Sequence, residues 1–159
     1  MQQLLISQYE LVTAARRVLF AYCRSIDERD LFKKVESFNN NNIVGMLIHN
    51  ANTYISWIAN LGLDTGEPFR EEDDIQNLDE AERLFEQVDV FIKNFLEKYK
   101  SNYEQPFTKT IAHKGIPVTV TPLQLFTHVI THEFHHKGQI LTMSRLLGYS
   151  PVDTDVIRT

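Results

Sequence analysis

The chain has 159 residues, 43% of them hydrophobic and 23% charged, which suits one globular domain over 1–159. Its formal net charge of −5 counts against nucleic acid as a partner, since neutralising phosphates takes a basic face. No apolar run approaches the ~20 residues that span a bilayer, and residues 1–5 lack the basic start and apolar core of a signal peptide. A membrane partner is therefore not expected. Cys23 is the sole cysteine, which rules out an internal disulfide and fits a reducing cytoplasm. It is read as a packing residue of an amphipathic helix rather than a reactive thiol.

Four helices are expected. In the first, Leu4, Leu11 and Val18 recur every seven residues, as do Leu5, Val12, Leu19 and Ile26, giving one apolar stripe. The four asparagines at 39–42 supply turn and cap chemistry. A second helix is predicted over 44–61, stopping at Gly62, with Val44, Leu47, Ile48, Ala51, Ile55 and Ile58 as its aliphatic face. Residues 63–76, with Gly66, Pro68 and the acidic run 71–74, read as a solvated loop. The third helix has the clearest pattern, with Leu78, Ala81, Phe85, Val88, Ile92, Phe95 and Tyr99 alternating steps of three and four. Asn77 and Glu80 ahead of it resemble a capping box. Residues 107–112 and 116–120, rich in β-branched side chains around Gly115, predict a short hairpin. Thr121-Pro122-Leu123-Gln124 then starts a fourth helix that ends at Gly148. The expected fold class is all-α, a four-helix bundle with a β-hairpin before the last helix.

Four of the six histidines fall within nine residues: His128, His132, His135 and His136. At ~100° per residue, His128, His132 and His136 form a ladder on one arc. Neighbours at i, i+4 can aim two nitrogens at one metal ion. A polar face that merely holds histidines is the competing account, and such density on one arc counts against it. A third ligand must come from elsewhere. His113 sits at the predicted hairpin tip, and His49 lies on a small polar stripe of the second helix with Gly45, Asn52, Thr53 and Ser56. Spacing alone leaves His49 open between a cavity-facing and an ordinary surface histidine.

His132-Glu133-Phe134-His135-His136 also spells H-E-x-x-H, the zinc-protease signature with glutamate as base. The extended form needs glycine where Gln139 stands, and the other common form needs a later glutamate, but none follows Glu133. A protease is set aside. A di-iron carboxylate bundle needs two Glu-x-x-His motifs and two further glutamates, which this chain does not supply.

Residues 46–51 running to Trp57, residues 127–140, and the ending 148–155 resemble the DinB/YfiT-like superfamily of small bacterial metalloproteins. The resemblance implies a four-helix bundle of unusual crossover topology, often a homodimer. It further implies a divalent metal site, zinc or nickel in character, on His49, His132 and His136 with open positions for a small-molecule substrate. His128 and His135 match no ligand position of the family. They are read as core or neighbouring packing, with Gln139 as a wall of the cavity. An ion held by three imidazoles can make hydroxide from water near pH 7 or hold a thiol as thiolate. The resemblance favours the thiol, which gives an S-transferase of the bacillithiol type using a low-molecular-weight thiol cofactor. The alternatives are a metal-dependent hydrolase, with Glu133 as base, and a non-catalytic metal-binding stress protein.

Overall fold

A computed structural model describes residues 1–158. It is mainly helical: α1 (Gln2–Cys23), a single turn α2 (Glu28–Leu31), α3 (Ile43–Tyr54), α4 (Leu78–Lys98) and α5 (Pro122–Leu146). A two-stranded antiparallel hairpin, β1 (Phe107–Ile111) and β2 (Ile116–Val120), precedes α5, with Phe107 opposite Val120 and Ile111 opposite Ile116. The four long helices form a bundle in which α1 packs on α4 and α5, and α3 also packs on α4 and α5. The first pair of long helices, α1 and α3, and the last pair, α4 and α5, thus lie across the bundle's diagonals, whereas α3 and α4 are neighbours. Among the described residues no helix is long and apolar enough to cross a membrane.

The sequence signals for α5 and the apolar stripe of α4 are met in detail. Every residue of the α4 stripe from Leu78 to Tyr99 is buried. Thr121 and Gln124 form a reciprocal capping box on α5. Gly148 ends α5 at φ 96°, a conformation open to glycine at little cost. At α4 only half of the expected box forms: Asn77 accepts from the Glu80 N–H, but the Glu80 carboxylate accepts from the Gln76 N–H instead. On α1 the two heptad series separate. Leu5, Val12, Leu19 and Ile26 enter the core, whereas Leu4 and Leu11 face solvent, because a helix buries one arc and the second series lies ~100° away. Cys23 is buried, and burial pushes its thiol up to about 12, which removes it from thiolate chemistry near neutral pH.

The second predicted helix changes character midway. Beyond Tyr54 it continues from Ile55 to Gly62 as a π-helix, a form found mostly as short insertions near functional positions. Its end is held from outside: the Gly62 carbonyl accepts from Lys98 Nζ and from the Tyr99 hydroxyl, each at 2.8 Å. A Cβ at Gly62 would strike the Phe95 ring, so the close approach of α3 to α4 requires glycine there. The acidic run makes one exposed 3₁₀ turn, Glu72–Asp74, and Glu72 reaches back to the Asn42 amide.

Candidate metal centre

α3 and α5 lie side by side, and their shared groove carries the histidines. Asn42 caps α3, its side chain accepting from the Gly45 N–H at 2.7 Å. Burial of Val44, Leu47, Ile48, Ala51 and Ile55 on the core side turns His49 toward α5. Along α5, Val129, Ile130, Ile140 and Met143 are buried, which sets His132 and His136 toward α3.

The result is a cluster. One ring nitrogen from each of His49, His132 and His136 lies within 4.8 Å of those of the other two. The Nε2 atoms of His132 and His136 are 3.1 Å apart. His132 Nδ1 lies 3.3 Å from Asn50 Oδ1, and His136 Nδ1 lies 2.5 Å from Gln139 Oε1. Amide oxygens accept only, so each Nδ1 is the N–H and each Nε2 carries the lone pair. Two lone pairs converging at 3.1 Å repel unless a proton or a cation lies between them. Nitrogens at ~2.0–2.1 Å from a tetrahedral ion are themselves about 3.3 Å apart. The donor set therefore fits a divalent metal ion on geometric and on chemical grounds.

Burial lowers the pKa of His49, His132 and His136, and His132 is pushed down to about 4, with the neighbouring His136 and His49 adding to burial. For His136 the Gln139 hydrogen bond works the other way. All three are neutral near pH 7, the form that binds metal. A stability consequence follows for the metal-free protein. The unfolded chain takes up a proton at His132 near pH 6.5, whereas the folded chain resists it down to about 4. Stability should therefore be complete above about pH 6.5 and decline as pH falls toward 4. Thermal melts in chelator from pH 7.5 to 4.5 should show this slope, and His132→Asn should flatten it.

The remaining histidines stand apart from the three. His128 is exposed, with its ring 5.1 Å from Trp57 and 5.7 Å from His132, so it is no core residue. His135 is exposed beside His136 at 4.8 Å between ring centres. His113 lies at the hairpin, edge-on to Phe69. Gln139 lines the cleft onto which His49 and His136 open, a space of about 530 Å³ whose far wall is the 37–41 loop.

Glu133 departs most from its expected part. Its carboxylate is buried, accepting from Arg16 Nε at 2.8 Å, Arg16 Nη2 at 2.9 Å and the Tyr54 hydroxyl at 2.6 Å. Arg16 also binds Asp89, and Tyr9 donates to the same Asp89 oxygen. Glu133 thus closes a polar network joining α1, α3, α4 and α5, and both its oxygens are committed there rather than to a base's work. The reason is helical: Glu133 is turned ~100° from His132. Sequence reasoning did not single out Arg16, although an arginine directly after core-facing Ala15 in an apolar stripe was the available signal. On another face of α5, Lys137 donates to the Thr154 carbonyl, and both residues are buried.

The family model of the DinB family matches residues 1–159. The chain belongs to the DinB family. Among curated proteins no sequence matches it. For this DinB-family chain, the three-histidine cluster fits a metal-dependent protein.

Proposed function

We propose that this DinB-family protein is a metal-dependent S-transferase, holding zinc or nickel on His49, His132 and His136 and using a low-molecular-weight thiol as nucleophile. The observation that carries this reading is a cluster of three imidazoles, two of which, His49 and His136, line a cleft of about 530 Å³, within the ~300–1,000 Å³ range of small-molecule sites. A divalent ion there supplies the positive charge that keeps a thiol deprotonated. The chain's own residues do the rest. Asn50 and Gln139 orient two imidazoles, and the open cleft admits a thiol alongside an electrophile. The sulfur has to come from outside, because the only cysteine is sealed in the core.

In the reaction the thiol gives its proton to solvent, sulfur forms a bond to the electrophilic carbon, and the leaving group departs with its electron pair. The hydrolase alternative is less well supported, because its base, Glu133, is bound by Arg16 and Tyr54. The test loads the protein with zinc or nickel and offers monochlorobimane with bacillithiol, glutathione or cysteine. Conjugate should form well above the uncatalysed rate with at least one thiol, and His132→Ala should return it to background. No acceleration with any thiol would overturn the reading.

A further inference from the structure

The loop wall of the cleft includes Asn39, Asn40 and Asn41, the first three of four consecutive asparagines that divide into two pairs. Asn41 and Asn42 spend their side chains within the protein. Asn41 Oδ1 accepts from the Asn42 N–H at 2.8 Å, and Asn42 both caps α3 and donates to Glu72. Gly45 leaves the room that the Asn41 amide occupies, since a Cβ there would strike it. The loop backbone is pinned as well: the Val35 N–H donates to the Asn41 carbonyl at 2.8 Å, and the Asn41 N–H donates to the Phe38 carbonyl at 3.0 Å. Asn39 and Asn40 are different. Both line the cleft and both are exposed. Among the described residues neither side chain makes a hydrogen bond within the protein. Both also have positive φ, 55° and 57°.

Two successive left-handed residues are the natural place for glycine, which adopts that backbone without steric cost. Asparagine tolerates it better than other side chains but gains nothing from it here, because neither amide bonds locally. What asparagine adds over glycine at these positions is an amide presented to the cleft. Beside the asparagines the lining is Ser37, Phe38, Met46, His49, His136 and Gln139, with no carboxylate, lysine or arginine among them. Amides on a pinned loop match a ligand that carries its own amides and hydroxyls.

We infer that Asn39 and Asn40 form the recognition wall for the body of the thiol substrate, selecting a peptide- or sugar-like thiol over a bare one. This inference rests on the S-transferase reading. The substitution that tests it is set by the backbone: the double variant Asn39→Gly/Asn40→Gly removes both amides while keeping a conformation that glycine favours. An alanine pair would confound the result with strain at positive φ.

The experiment is calorimetric titration of zinc-loaded wild type and double variant with glutathione, N-cysteinyl-glucosamine and 2-mercaptoethanol, with zinc content and thermal midpoint checked for both. Wild type should bind at least one of the two larger thiols about tenfold or more tightly than 2-mercaptoethanol, as expected of one or two well-placed hydrogen bonds. The variant should lose that preference while its zinc content and its 2-mercaptoethanol affinity stay unchanged. A preference that survives in the variant, or is missing from wild type that binds all three thiols, would overturn the recognition role and leave the S-transferase reading standing. Absence of binding by any thiol to fully zinc-loaded wild type would overturn the S-transferase reading, and this inference with it.

Discussion

Replacing His132 by alanine is expected to take the bound divalent ion from near one per chain to background, measured by plasma mass spectrometry on untagged protein reloaded with zinc or nickel. The His132 ring lies 4.3 Å from that of His136 and 5.3 Å from that of His49, and its Nε2 is 3.1 Å from that of His136. Removing it leaves two imidazoles from different helices, which too rarely make a closed site for tight binding. His49→Ala should do the same, and this variant decides whether α3 takes part at all. Ion retained in His49→Ala but lost in His132→Ala would reassign the third ligand. His128→Ala should retain full metal, because its ring contacts Trp57 and lies on the outer side of His132. Asn50→Ala should fall between these, weakening metal affinity about 10–100-fold, the usual effect of removing the group that holds a ligand histidine. The fold should survive in each histidine variant, since His49 is exposed and His132 and His136 are only half-buried. A lost helical signal in circular dichroism would point to unfolding instead.

Half of this site was legible in the sequence. A helical period converts spacing into direction, so His132 and His136 could be placed together from i, i+4 alone, and Gln139 followed one turn later. His49 could not be placed that way. Its polar stripe gave a direction but no partner, and only the packing of α3 against α5 supplies one. The resemblance named it, and the structure gives the geometric reason. The fold shows the same division. α4 was readable because its apolar residues make one unbroken stripe. α1 was over-read, because two interleaved heptad series cannot both face the core. The π-helix of residues 55–62 left no mark, since its apolar content suits either helical form. The left-handed pair at Asn39 and Asn40 was visible only as generic turn chemistry. Pairing across 117 residues, as between Arg16 and Glu133, has no local signature.

Glu133→Ala is expected to be the most destabilising single change. It leaves the Arg16 guanidinium, itself buried, with the partly exposed Asp89 in place of a bidentate buried partner, and it strands the Tyr54 hydroxyl. Breaking a buried pair from one side costs about 3–5 kcal/mol. For a chain of this size that lowers the thermal midpoint by roughly 10 °C. Glu133→Gln should cost less, because one oxygen can still accept, although an amide NH₂ then faces guanidinium. A double change, Arg16→Met with Glu133→Leu, should recover much of the loss, since apolar replacement of a buried pair is often neutral. These outcomes separate two roles for the same residue. A base at the metal would leave stability nearly untouched on Glu→Gln and would gain nothing from removing Arg16. A clamp between α1, α3 and α5 loses stability when one side is removed and regains it when both sides become apolar. Melts of all three variants, with metal content measured alongside, distinguish the two. Retained metal with a depressed midpoint in Glu133→Gln would assign the H-E-x-x-H glutamate to holding the bundle that carries His49, His132 and His136.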